Sequence, residues 1–324
     1  MREIRIGTAQ FEARDADKQY NLGRVRELAR EAASGGAEVV CFHECCITGY
    51  TFMENLGRSE LEDLAEPVPD GPSVAALLDV ARDCGLALGA GLLERREDGG
   101  LYNTYAVVSP EGFVAKHSKL HPFISEHLSP GGKYTVFPLL GCTFGVLICY
   151  DNNLLENVRV TTLMGAEIVL MPHVTGGTPS PMPGRGEIPR QVWENRERDP
   201  VACRMEFNGP KGRGWLMHWL PTRAFENGIY AVFSNPIGAD GETTKPGNSM
   251  IIDPYGEIVA ECHALRDEVV VALCTPDKIE HSGGRRYIRA RRPELYAKLV
   301  EPVPEHEKTR RSSAHADVWW KKHR

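Results

Sequence analysis

The sequence lacks any stretch approaching the roughly 18 consecutive apolar residues of a membrane span. Its opening, Met-Arg-Glu-Ile-Arg-Ile, alternates charged and apolar side chains instead of forming a signal-peptide core. It also lacks an excess of positive charge: the net charge is −6, which gives no general reason to expect a nucleic acid or an anionic membrane as partner. The expectation is a soluble, cytoplasmic protein. Internal repeats, low-complexity segments and a linker that would divide the 324 residues are all missing. Cys45 and Cys46 are adjacent and do not form a C-x-x-C pair, so a metal role for them with His43 or His121 has no support in spacing, and no metal or organic cofactor is expected. The string Gly209-Pro210-Lys211-Gly212-Arg213-Gly214 lacks the Gly-Lys-Ser/Thr ending of a phosphate loop. The nine cysteines are odd in number, and Cys41, Cys142, Cys149 and Cys274 sit in or beside apolar runs. Most read as reduced core cysteines, not as a disulfide framework.

What is present is an ordinary globular mixture, 42% hydrophobic and 25% charged, sufficient for a sizeable core. Alternation and apolar runs predict strands at 4–9, 37–42, 86–93, 102–109, 113–116, 143–148, 167–171, 230–234, 249–252, 258–261 and 269–273. Helical spacing of Leu22, Val25, Leu28, Ala29 and Ala32 predicts a helix over 18–34, stopped by Gly35-Gly36. Further helices are predicted at 73–84 after Pro72, from about Asn153 with an Asn153-x-x-Glu156 capping spacing, near 189–205, and at 215–227. One domain of alternating β and α elements is the simplest account.

Three polar residues each follow a predicted strand at its carboxyl end: Glu44, Lys119 and Cys149. Side chains at the carboxyl edges of neighbouring strands converge on one crevice, where open α/β sheets keep their sites. Cys149 lies between a strand and a helix start, a setting that favours a thiolate and makes the amide of Tyr150 a natural oxyanion donor. Taken singly, each residue also has an ordinary reading: a core cysteine, a capping glutamate, a surface lysine. A Cys–His protease arrangement would need a cysteine motif at the start of a helical domain with a later His and Asn, and that pattern is missing.

The ordered set carries more than its members. Phe42-His43-Glu44, Lys119-Leu120-His121-Pro122 and Gly145-Val146-Leu147-Ile148-Cys149-Tyr150-Asp151 together resemble the three signature segments of the nitrilase superfamily. The resemblance continues through Glu156-x-x-Arg159, Gly165-Ala166-Glu167, Arg223-Ala224-x-Glu226-Asn227 and Ser234-Asn235-Pro236-Ile237-Gly238 to Arg291-Arg292-Pro293-Glu294-Leu295-Tyr296. It implies a four-layer α-β-β-α sandwich over residues 1–300, and an enzyme with Cys149 as nucleophile, Glu44 as general base and Lys119 as oxyanion partner. Glu126 occupies the place of the family's fourth carboxylate. The implied reaction is hydrolysis of a small carboxamide or N-carbamoyl compound through a thioester, with release of ammonia and no cofactor. Tyr150-Asp151 replaces the Trp-Glu typical of nitrile-hydrolysing members, so a nitrilase is the second reading and a catalytically silent binding member the third. Asn152-Asn153 stands where carbamoyl-amino-acid enzymes carry two arginines, which puts the usual carboxylate clamp in doubt.

Tyr150, Asn152 and His173 are the expected substrate-binding residues. The Pro-, Gly- and charge-rich segment 172–214 is expected to shape the mouth, with Arg185, Arg190, Arg196, Arg198, Arg204 and Arg213 as candidates for an anionic substrate, and Trp193 and Trp215 as a wall or as packing. The basic run 285–292 reads as a surface helix or subunit contact. The tail 301–324, with Trp319-Trp320, reads as an arm to a partner subunit in a homodimer or larger homo-oligomer.

Overall fold

The computed structural model describes residues 1–180 and 182–302. Strand β1 (Ile4–Gln10) leads into α1 (Lys18–Ser34), where the Asp17 side chain caps the Tyr20 amide at 3.0 Å. Then come β2 (Val39–Cys41), α2 (Arg58–Leu64) and α3 (Pro72–Cys84), which ends on left-handed Gly85. An antiparallel run follows: β3 (Ala87–Arg95), β4 (Leu101–Ser109) and β5 (Gly112–Ser118). The hairpin β6 (Thr135–Leu139) and β7 (Cys142–Val146) precedes α4 (Tyr150–Asn153), α5 (Leu155–Leu163) and β8 (Ile168–Pro172). Four short helices come next: α6 (Arg190–Glu194), α7 (Pro200–Asn208), α8 (Arg213–Leu216) and α9 (Leu220–Asn227). The chain continues through β9 (Tyr230–Ser234), the hairpin β10 (Ile237–Asp240) and β11 (Thr243–Pro246), then β12 (Met250–Ile252), β13 (Ile258–Glu261) and β14 (Glu268–Cys274). Helices α10 (Pro276–His281) and α11 (Gly283–Arg289) follow.

Two six-stranded sheets form the centre, ordered β14-β1-β2-β3-β4-β5 and β13-β12-β9-β8-β7-β6. Each has a parallel core, β1-β2-β3 or β9-β8-β7, with antiparallel strands at the flanks. Strands buried on both faces carry near-continuous apolar runs, and β8 (Ile-Val-Leu-Met-Pro) and β9 (Tyr-Ala-Val-Phe-Ser) do so here. Ile4, Ile6, Val39, Tyr105 and Val107 of the first sheet pack against Phe144, Val146, Ile168, Leu170, Tyr230 and Ile251 of the second. Helices α1 and α3 cover the outer face of the first sheet, and α5, α8 and α9 cover that of the second. The layers are therefore helix, sheet, sheet, helix.

Several expectations are corrected. The helix expected from Asn153 starts at Tyr150, directly after Cys149. The Asn153-x-x-Glu156 box does not form, since Leu154 caps α5 and no side chain bonds there. The single helix over 189–205 is two, because Pro200 cannot continue a helix from Asp199 and instead opens α7, with Asp199 Oδ1 accepting from the Ala202 amide at 3.0 Å. The helix over 215–227 is likewise split, with Pro221 in the first turn of α9. Strand β6, helix α2 and the β10–β11 hairpin were not foreseen: their short, mixed sequences carry no clear period of their own. The basic run falls on α11, which packs on α9 (Phe225 and Tyr287 rings 6.2 Å apart). The expected arm lies, from residue 303 on, outside the described residues. No described helix is long and apolar enough to cross a membrane.

Candidate active site

Glu44 and Lys119 come from one sheet and Cys149 from the other. Glu44 follows β2, Lys119 follows β5, and β3 and β4 lie between these strands; β7, which leads to Cys149, belongs to the facing sheet. The crevice is thus not made by neighbouring strands of one sheet but by the ends of two stacked sheets.

Each side chain is fixed by backbone geometry. After β2 the chain crosses directly over Gly91 of β3, where a Cβ would lie 2.2 Å from the Cys45 nitrogen. Only glycine allows that approach, and the Ile47 amide completes it by donating to the Gly91 carbonyl at 3.0 Å. Lys119 is held by Asn103 of β4, whose carbonyl accepts from the Lys119 amide at 2.8 Å. Cys149 has φ 51° and ψ −109°, a conformation costly for a side-chain-bearing residue. Its amide donates to the Pro172 carbonyl at 2.8 Å, tying the elbow to the end of β8.

Asp151 locks the two halves together. Its buried carboxylate accepts from the Ile148 amide at 3.1 Å on the cysteine side, and from the amides of Leu120 (3.1 Å) and His121 (2.9 Å) on the lysine side. His117 Nε2 lies 3.6 Å away.

The Glu44 carboxylate is fully engaged. Oε1 accepts from Lys119 Nζ at 2.6 Å and from Asn103 Nδ2 at 2.6 Å, and Oε2 accepts from the Val174 amide at 3.1 Å. Lys119 Nζ also donates to the Tyr50 hydroxyl at 3.2 Å. Desolvation opposes the lysine charge, but the Cys149 and Glu44 sites outweigh it, and its pKa stands well above the ordinary value. Burial first, then the adjacent Glu44 carboxylate, pushes the Cys149 thiol up to about 12, with Lys119 pulling the other way. The resting site therefore holds a glutamate–lysine ion pair beside a neutral thiol, with a carboxylate in place to take the thiol proton.

A cavity of about 520 Å³ opens at Cys149. Lys119, Tyr50, Phe123, Tyr150, Val174, Trp215 and Trp219 line it, together with Met182, Arg185, Lys211 and His218. Of the expected binding residues only Tyr150 lines it, stacked on Phe123 at 5.3 Å. Asn152 and His173 are buried behind the wall, bonded to one another at 3.1 Å, and His173 packs on Trp219 at 5.5 Å. Helical pitch turns Asn152 inward from the elbow, and strand alternation turns His173 toward the α9 side. Glu126 is exposed on its loop and is not among the residues lining the cavity at Cys149, and Lys119 donates to Glu44 and Tyr50.

Among the six candidate arginines only Arg185 lines the cavity, and it covers the Trp215 ring at 3.8 Å. Arg190 pairs with Glu194 and Arg213 with Glu261, Arg196 covers Trp193, Arg204 donates to the His263 carbonyl, and Arg198 is exposed. Trp193 packs on Phe207, away from the site. Asn103, Tyr50 and Phe123 were not foreseen: each is an unremarkable residue in its own segment, and only tertiary contact brings it to the site. Among the described residues no group of three His, Cys, Asp or Glu could hold a metal ion.

A sandwich of two facing sheets between helical layers, with cysteine, carboxylate and ammonium gathered where the sheets end, is the architecture of the nitrilase superfamily. The carbon-nitrogen hydrolase family matches residues 5–282, and the chain belongs to that family. It is a hydrolase of non-peptide carbon–nitrogen bonds. An (R)-stereoselective amidase from a Pseudomonas species is 32% identical, covering 82% of this chain and 82% of its own length. A nitrilase from Pyrococcus abyssi is 28% identical, covering 83% and 88%. In shape, a double mutant of the amidase from Nesterenkonia sp. AN1 in complex with acrylamide superposes with a TM-score of 0.67 at 21% identity, over 92% of this chain and 97% of that one.

Proposed function

We propose that the chain is an amidase that hydrolyses small carboxamides with apolar acyl groups through a thioester on Cys149. The observation that carries this reading is the Glu44–Lys119 ion pair at 2.6 Å beside a neutral cysteine that lines a largely apolar cavity. Glu44 takes the thiol proton as Sγ attacks the carbonyl carbon. Lys119 Nζ and the Tyr150 amide hold the oxyanion, a donor of this kind being worth roughly 3–4 kcal/mol. Glu44 returns the proton to the leaving ammonia, then takes one from the water that cleaves the thioester. Asn103, Tyr50 and Asp151 are positioning residues. Segment 172–214 supplies much of the cavity wall as a pocket-shaping element of a single domain spanning residues 1–300.

A carboxamide is favoured over an N-carbamoyl amino acid because the cavity wall offers Phe123, Tyr150, Trp215 and Trp219, and Arg185 is already occupied by Trp215 and the Pro210 carbonyl. Names borne by relatives, (R)-stereoselective amidase among them, point the same way. The chain is also read as a homo-oligomer: Leu155, Leu163, Met164, Phe225 and Tyr287 lie exposed on or beside α5, α9 and α11, and such apolar patches mark contact surfaces.

The test is ammonia release from a panel of aliphatic and aromatic amides, carbamoyl amino acids and nitriles, with wild type and Cys149→Ala. Turnover of amides, lost in the variant, is expected. Turnover of nitriles alone would make the chain a nitrilase, and a wild type inert on every class would favour a binding role.

A further inference from the structure

Beside Glu44 lies a second and much smaller cavity of about 30 Å³. Tyr50 and Val174 are common to both cavities, whereas Glu44 lines only the small one. A space of this size holds a water molecule if polar groups are there to bind it. The wall supplies them: Asp15, Asp240, Lys245 and His43. His43 is 2% exposed, and its Nε2 is buried with no protein partner, while Nδ1 lies 3.1 Å from the Glu44 carbonyl. A buried ring nitrogen left without a partner is costly unless water satisfies it. Asp240 accepts from Lys245 at 3.2 Å and from the Thr51 hydroxyl at 2.6 Å, so the far wall is fixed.

A surface cleft adjoins the chamber. Ala13, Asp15 and Ala239 line both the chamber and this open cleft of about 440 Å³ beside Arg14, Tyr20 and Arg190. Two of the three shared residues are alanines, so little side-chain bulk stands between cleft and chamber. Burial, with Asp240 nearby, lifts Asp15 to about 6, so near neutrality it is mainly a carboxylate that accepts from water.

We infer that the chamber beside Glu44 is a water site fed from the surface cleft, and that it supplies the water for hydrolysis of the acyl-enzyme. The inference rests on the thioester reading above. Once the acyl group is on Cys149, it narrows the approach to the thioester from the main cavity, while the chamber beside Glu44 stays clear of it. Departure of ammonia leaves a gap next to Glu44, and a water held beside the carboxylate refills it without any movement of the acyl chain. Glu44 then accepts one proton as the water oxygen attacks the thioester carbon. The carbon–sulfur bond breaks, the acid is formed, and the proton passes to the sulfur.

The test narrows the passage with Ala239→Leu and, from the other wall, Ala13→Leu, keeping whichever variant retains the wild-type melting profile. With propionamide, single-turnover ammonia release should match wild type. The steady rate should fall roughly tenfold, as expected for a displaced reacting water, and intact-mass measurement should show the propionyl adduct on Cys149 accumulating. N-methylhydroxylamine, too large for the chamber, should restore turnover as the hydroxamate by entering from the front. A folded variant with an unchanged steady rate and no adduct overturns the inference, as does equal slowing of ammonia release and adduct loss. If wild type turns amides over but Cys149→Ala does too, the thioester reading itself falls, and this inference with it.

Discussion

Lys119→Met cuts the ion pair at the centre of the site, and its consequence follows from burial. The side chains of Lys119 and Glu44 are 1% and 0% exposed, with 2.6 Å between the charged atoms. Removing one partner of a buried pair costs about 3–5 kcal/mol, because the remaining charge has lost its compensation. Here Glu44 keeps the Asn103 and Val174 donors, and hydrogen bonds to a charged group contribute about 1.5–3 kcal/mol each, so the cost falls near 3 kcal/mol. For a chain of this length that corresponds to roughly 5 °C in melting temperature. Glu44→Gln/Lys119→Met carries no buried charge at this point and should recover more than half of the loss, although both variants should be inactive. Circular dichroism melts and urea titrations of wild type, both single variants and the double variant measure the coupling directly. A Lys119→Met protein within 1 °C of wild type, or a double variant no more stable than Lys119→Met, would refute the buried ion pair.

Other perturbations test neighbouring parts of the argument. Glu44→Gln removes a negative charge from Cys149 and leaves Lys119, so the thiol titration should move down from about 12 by roughly a unit or more; thiolate absorbance near 240 nm should rise at lower pH than in wild type, and identical curves would contradict the assignment. Asp151→Asn sets an amide against three backbone donors that now meet a carboxylate; about 2–3 kcal/mol of stability and at least roughly tenfold in kcat should go, while wild-type kcat in the variant would show that Asp151 does not align Lys119 with Cys149. Burial lowers His43 to about 4 from an ordinary 6.5, so below that ordinary value the unfolded chain binds a proton that the folded one does not; stability should fall as pH drops from 6.5 toward 4, and denaturant titrations of His43→Gln should show a shallower fall. Trp215→Ala should raise KM for aromatic amides several-fold with little change in kcat, and an effect confined to kcat would remove Trp215 from the substrate wall.

The sequence by itself determined what is local. Period and punctuation placed α1 to the residue, α3 to within one and most strands to within two or three, because Gly35, Pro72 and Gly85 act through φ and missing donors that need no tertiary partner. It singled out Cys149 between strand and helix, and the ordered segments singled out Glu44 and Lys119. Only the tertiary structure decided what surrounds them. That β2 and β5 meet β7 across two sheets depends on burying Ile6, Val39 and Tyr105 against Phe144, Ile168 and Tyr230, contacts 39 to 224 residues apart in the chain that no window of sequence can register. The same stacking brings Asn103 to Glu44 and Asp151 to Leu120. It turns His173 and Asn152 behind the wall, though both flank the elbow in sequence or strand order. Which side chain faces a cavity is set by pitch, pleat and the position of the neighbouring layer; a linear string specifies the first two and leaves the third to packing.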